Sequence, residues 1–306
     1  MEINKSGSNS KKLNNESVRS VRSLNPIFPI LPPPYLRMKP ANPMCYDISF
    51  TVKLKELANY FPDLEIAPQM ELNFDGIHIM GHSFNDHPII YRDRENKKLS
   101  IRPMQWGVIP FYVKDEKGFL RQRVSMLNSR SERILGDEKS YWFKIRNRRC
   151  LIPVTGIYEH RAIKGWKKKV PYFISLKNQP LFFLPGLYSV TDLPDLETGE
   201  VIKRFTFSLI TRNGNDLMKK IHNDGENRGR MPLFLTLALS KEFLEEELSP
   251  KRYQEILEYE IPADDMEAIT VYTIRSAKER PDGKAKNEFW EWEKLPEPGI
   301  GDPERN

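Results

Sequence analysis

Cys45 carries a thiol suited to attack on an electrophilic carbon, and polar residues far along the chain could serve it. Asn128-Ser129-Arg130-Ser131-Glu132 is a dense polar cluster, and Glu159 follows Gly156-Ile157-Tyr158 after an apolar run. His222 closes a helical pattern and leads through a polar loop into Arg230-Met231-Pro232. Together these types supply an amide donor, two proton-transfer groups and arginine forks for an anion. Trp106, before the Gly107-Val108-Ile109-Pro110 turn, offers an aromatic platform. Each also has a plain structural reading. Asn128 could bond turn backbone, and Arg130 with Glu132 could be a solvated pair. Glu159 could end a strand in solvent, and His222 could sit at a helix terminus favoured by its dipole. Trp106 could be core. Cys150, between Arg149 and Leu151-Ile152-Pro153, reads as a buried strand residue without chemistry. His78, His82 and His87 fall on a strand-to-turn pattern with no completing carboxylates, so neither a metal nor another cofactor is expected.

The elements that would hold these residues are mostly strands. Apolar, β-branched and aromatic runs at 77–81, 149–154, 171–176, 181–188, 205–211 and 269–274 predict them. Helices are predicted at 53–61, with Leu54, Leu57, Ala58 and Phe61 on one face, and at 215–221. Two more are predicted at 241–248, capped by Ser240, and at 250–258, capped by Ser249 with Pro250 at the first position. Strands and helices do not alternate, which indicates an α+β fold, not a doubly wound parallel sheet. Residues 1–43 are rich in Ser, Asn, Lys and Pro, with seven prolines between Pro26 and Pro43, and read as a disordered extension. Alternatively, translation starts at Met44 and the prefix is an artefact of the gene boundary. Residues 44–293 would form the domain, and 294–306 a flexible tail.

The net charge of +6 suggests a nucleic-acid partner until its placement is considered. The first 43 residues hold seven basic and two acidic side chains, so the rest is nearly neutral. Any DNA contact must therefore come from local clusters. Candidates are Arg130, Arg148, Arg149, Arg228 and Arg230, with the Lys164–Lys169 run as a further one or a solvated hairpin turn. Two cysteines exclude a disulfide framework, and no apolar run is long enough to span a membrane. A soluble cytoplasmic monomer is expected, associated with the nucleoid when on DNA.

In order along the chain come Met44-Cys45, Trp106-Gly107-Val108-Ile109-Pro110, Asn128-Ser129-Arg130-Ser131-Glu132, Arg148-Arg149-Cys150-Leu151-Ile152-Pro153, Gly156-Ile157-Tyr158-Glu159, Pro185-Gly186-Leu187-Tyr188, Ile210-Thr211, His222 and Arg230-Met231-Pro232. This succession closely resembles the SOS-response-associated peptidase (SRAP) family over 44 to about 275. The resemblance implies a curved, barrel-like antiparallel sheet with flanking helices and a DNA-binding cleft. It also implies loss of Met44, so that Cys45 becomes the terminus and links covalently to abasic sites in single-stranded DNA. Asn128 and Arg130 would line the reaction pocket, Glu159 and His222 would move protons, Arg230 would hold phosphate and Trp106 would face the opened strand. An autoprocessing peptidase activity is implied for the same cysteine.

Three departures stand out, the largest being the 43-residue prefix. Tyr46-Asp47 replaces the family's Gly-Arg after the cysteine, and seven residues, Asn223 to Gly229, separate His222 from Arg230 where one is usual. The phosphate contact could therefore fall to Arg228 or to Arg230. Two other functions compete with abasic-site crosslinking: a cysteine peptidase using Cys45, Glu159 and His222, and a non-catalytic module for single-stranded or modified DNA.

Overall fold

A computed structural model of the protein describes residues 47–66, 76–195, 197–276 and 278–303. The expected disordered extension over 1–43, and Cys45 itself, lie outside the described residues, which all belong to one compact unit.

Among the described residues twelve strands and six short α-helices follow in chain order. They begin with β1 (Asp47–Phe50), β2 (Gly76–Met80), β3 (Asp86–Arg92), β4 (Leu99–Trp106), α1 (Glu116–Arg123) and β5 (Asn128–Arg130). Next come α2 (Glu132–Leu135), α3 (Tyr141–Lys144), β6 (Arg149–Val154), β7 (Gly156–Arg161), β8 (Val170–Leu176) and β9 (Phe182–Pro194). The last are β10 (Val201–Asn213), α4 (Asp216–Ile221), β11 (Arg230–Pro232), α5 (Leu237–Phe243), α6 (Pro250–Glu258) and β12 (Met266–Thr270).

The strands β10-β4-β3-β6-β9 pair in sequence, and β9 pairs back with β10 to close a five-stranded barrel. Closure leaves no free edge in that ring. Its pairings are antiparallel except that β10 runs parallel to β4, as it does to β5 outside the ring. A second, antiparallel sheet runs in the order β12-β8-β7-β1-β2. The fold is the expected α+β type.

Side-chain alternation assigns the two faces of the barrel wall. Ile89, Cys150, Ile152, Leu184 and Phe207 pack in one cluster, while Ile90, Leu151, Phe183, Leu187 and Ile210 belong to another. The second cluster includes Phe243 of α5 and Tyr253, Ile256 and Leu257 of α6. Helix α6 starts as its sequence dictates, with Ser249 accepting from the Arg252 amide and Pro250 in the first turn.

Three local expectations are corrected. Residues Leu54–Asn59 form a 3-10 helix, whose three-residue repeat buries Leu54 and Leu57 and turns Ala58 outward. Ser240 does not start a helix: α5 begins earlier, capped by Thr236 accepting from Leu239, and Ser240 is buried within it. Residues 294–303 are not a loose tail. Arg161, fully buried, donates to the carbonyls of Pro296, Glu297 and Ile300 and pairs with Asp302. Four backbone and side-chain acceptors on one guanidinium fasten this segment to β7.

His87 is buried between the sheets, its Nε2 donating to the Pro153 carbonyl at 2.8 Å. Burial, only partly opposed by that bond, lowers its pKa from 6.5 to about 4. Such an imidazole contributes stability that is present above the unfolded value of 6.5 and lost as pH falls through the folded one. Lowering pH from 6.5 to 4 should therefore cost up to about 3 kcal/mol from this group alone. Urea denaturation across that range checks it, with His87→Gln flattening the dependence.

Candidate functional site

A cleft of about 170 Å³ is lined by Asp47, Glu159, His160, Lys169, His222, Asp224 and Arg275. Five separate parts of the fold meet there. Strand β7 brings Glu159 and His160, and β1 beside it brings Asp47 in the register Asp47↔Tyr158 and Ile48↔Ile157. Lys169 comes from the turn joining β7 to β8, His222 and Asp224 follow α4, and Arg275 follows β12. The strand carrying Glu159 starts at Gly156, where an added Cβ would lie 2.1 Å from the Phe173 ring. Only glycine allows β7 to lie so close against β8.

Asp47 is the buried hub of the cleft. His78 donates to its Oδ1 at 2.7 Å, and Arg275 Nη2 donates to Oδ2. Burial alone would raise this carboxyl, but the His78 bond and the Arg275 charge outweigh it and hold the group at about 2. Glu159 is 5% exposed at its side. His160 behind it is lowered to about 4, chiefly by burial, so it is a neutral imidazole at pH 7.

His222 is fixed in one tautomer. Its Nδ1 lies 2.8 Å from the backbone oxygen of Arg230, and a carbonyl only accepts, so Nδ1 carries the hydrogen. That leaves Nε2 as the atom able to take or give a proton. Its backbone is held at both sides, with His222 N donating to Met218 O and Gly229 N donating to His222 O. The left-handed backbone at Gly229, with φ of +72°, lets the seven-residue loop turn back at that point.

Arg230 is not a free phosphate clamp. Its guanidinium makes two 3.0 Å bonds to Glu132, and Nη2 donates to Thr211 O at 2.9 Å. It braces the strand whose carbonyl orients His222. Of the two arginines left open by the sequence, Arg228 is the exposed one. Arg130 is exposed as well, and its Nη2 donates to Asn227 Oδ1 at 2.8 Å on the same loop. Asn128 begins β5 opposite Leu209 and is buried; it is not among the described residues lining the cleft.

Trp106 and Arg149 do not serve as surface contacts. Trp106 is 2% exposed, stacked at 19° on Phe207, and donates from Nε1 to Leu127 O at 2.8 Å. No face of the indole is left for a base. Arg149 donates to the carbonyls of Phe243, Glu245 and Glu246, closing the C-terminal end of α5. Cys150 is buried in β6, and burial pushes its thiol well above the usual range. The exposed aromatics near the turn are Phe111 and Tyr112, packed edge to face beside Tyr141. They follow Pro110 directly, which was the available signal. Asp47 was legible only as a departure beside Cys45, and Arg275 had no local signal.

Residues 44–276 match the family model described as SOS response associated peptidase (SRAP). The chain belongs to the SRAP family. Abasic site processing protein YoqW of Bacillus subtilis is 34% identical over 186 residues, covering 60% of this chain and 74% of that one. Abasic site processing protein YMR114C of Saccharomyces cerevisiae is 31% identical over 44% of this chain and 32% of its own length. A crystal structure from Bacteroides thetaiotaomicron superposes with a TM-score of 0.64 at 27% identity, covering 80% of this chain and 97% of its own. A Bordetella bronchiseptica structure, at 20% identity and a TM-score of 0.56 over 75% of this chain and 100% of its own, shares the SRAP fold. Among the described residues no group of three or more His, Cys, Asp or Glu could hold a metal, and no helix is long and apolar enough to cross a membrane.

Within this SRAP fold Trp106 is a core residue, and Trp106→Ala should lower the unfolding free energy by about 3–5 kcal/mol. Urea denaturation measures it; a solvent-facing stacking residue would show almost no change.

Proposed function

We propose that this SRAP protein processes abasic sites in single-stranded DNA by forming a thiazolidine between the abasic aldehyde and an N-terminal Cys45. The observation carrying this reading is the meeting of Glu159, His222 and Asp47 in one cleft. Cys45 precedes Asp47 of that cleft by two residues in the sequence. The names of the relatives as abasic site processing proteins support the substrate. The cleft volume of about 170 Å³ suits a sugar without its base; pockets for larger ligands run from roughly 300 Å³ upward.

The chemistry needs hydrolysis of the bond before Cys45, which frees an α-amine with a pKa of about 7.7–8.0. The neutral amine attacks C1′ of the open-chain sugar to give a carbinolamine, and loss of water gives the imine. The Cys45 thiol then adds to the imine carbon, its proton passing to nitrogen, and the five-membered ring closes. One water leaves overall, with no change of oxidation state. Holding both nucleophiles on one residue makes closure intramolecular. Glu159 takes the proton from the attacking amine and returns it to the departing hydroxyl. His222, through Nε2, protonates the sugar ring oxygen as the ring opens. Exposed Arg130 and Arg228 suit phosphate contact, and Phe111 and Tyr112 suit base stacking, worth about 1–3 kcal/mol per base without sequence preference.

Glu159→Gln should slow adduct formation on an abasic oligonucleotide by about 10²-fold or more while leaving binding affinity within a few-fold. Equal losses in gel-shift and adduct assays would remove its proton-transfer role. His222→Ala should be slowed on the closed sugar and recover on a substrate presented as an open aldehyde. Incubation with casein separates a general peptidase, which would cleave it, from the crosslinking protein, which would not.

A further inference from the structure

Arg275 is the only guanidinium among the described residues lining the cleft, and half of it is unused. Its Nη2 is tied to Asp47 Oδ2, while no described group accepts from Nε or Nη1. The side chain is 37% exposed, whereas its anchor Asp47 is 3% exposed. An arginine held from behind by a buried carboxylate presents its other edge as a fixed fork of N–H donors, which matches two oxygens of a phosphate.

The charges around it give that fork a purpose. Asp47, Glu159 and Asp224 place three carboxylates in the cleft against two cations, Lys169 and Arg275. Lys169 is already paired to Asp224 at 2.9 Å. Three carboxylates against two cations disfavour an anionic strand in this cleft, and the open edge of Arg275 offsets that. His78 holds Asp47 from the other side, so the carboxylate stays in place when Arg275 engages a ligand.

Resting on the DNA reading above, we infer that Arg275 is a substrate-binding residue that grips the phosphodiester beside the sugar in the Glu159–His222 cleft, with Asp47 and His78 as its positioning residues. The loop after β12 thereby supplies a cation next to the start of β1, where Asp47 itself is acidic.

The test uses the full chain and a single-stranded oligonucleotide bearing a tetrahydrofuran abasic analogue, which has no aldehyde and cannot form the adduct. Arg275→Gln should weaken binding roughly tenfold and reduce the slope of log affinity against log salt by about 0.7, the loss of one phosphate contact on a single strand. A lower melting temperature with an unchanged slope would make Arg275 a structural tie and overturn the inference. Should the Gln variant fail to fold, Arg275→Lys, which keeps the charge beside Asp47, should still bind several-fold more weakly at an unchanged melting temperature. Unchanged affinity in the Lys variant would overturn the inference. A wild-type protein that forms no adduct with true abasic DNA would remove the functional reading itself, whereas adduct formation with an unaffected Arg275→Gln removes only the role of Arg275.

Discussion

The pairing of β1 with β7 is the constraint on which the site depends. The register Asp47↔Tyr158 sets the start of the described chain beside the strand that carries Glu159. A one-residue slip would reverse every side chain of a strand buried on both faces, so burial of Ile48 and Phe50 enforces it. Tyr158 of β7 adds a lateral tie, its hydroxyl donating to Ile77 O of β2 at 2.6 Å, and the Asp47–His78 bond joins β1 to β2. The lack of a side chain at Gly156 lets Phe173 of β8 close the other side. Asp47, at the start of β1, thus takes its position from the sheet.

The other half of the site is set by a relay of fixed groups around His222. Glu132 engages Arg230, Arg230 holds the edge of β10 through Thr211, and the Arg230 carbonyl chooses the tautomer of His222. The motif Asn128 to Glu132 and the motif Arg230-Met231-Pro232 are therefore coupled through side chains, although far apart in sequence. Removing one partner leaves the other charge half-buried, which costs more than the pair itself contributes. The same logic governs Arg161, whose buried guanidinium makes the C-terminal segment part of the wall behind the site strand.

Much of this was legible in the sequence where burial alone decides. The fully buried runs of β6 and β9, and the Ser249-Pro250 start of α6, state their structure locally. Glu159 and His222 stood out by type and context, and the structure brings both to one cleft. The places of Trp106 and Arg149 were not legible, because an indole or guanidinium reads alike whether it meets solvent or neighbours that only the fold supplies. Phe207 and the α5 carbonyls are those neighbours. Arg275 was invisible for the same reason: its partner Asp47 lies 228 positions away. Ser240 misled because Thr236, four residues earlier, offers the same capping hydroxyl, and the buried side of α5 decides between them.

The proposed reacting nitrogen is the α-amine of Cys45. Peptide mapping by mass spectrometry, after incubation with an abasic oligonucleotide and digestion of protein and DNA, reads it directly. The expected product is a sugar-bearing peptide that begins at Cys45, with one water lost on joining. An adduct on a peptide still carrying Met44, or on a lysine elsewhere, would contradict the proposal.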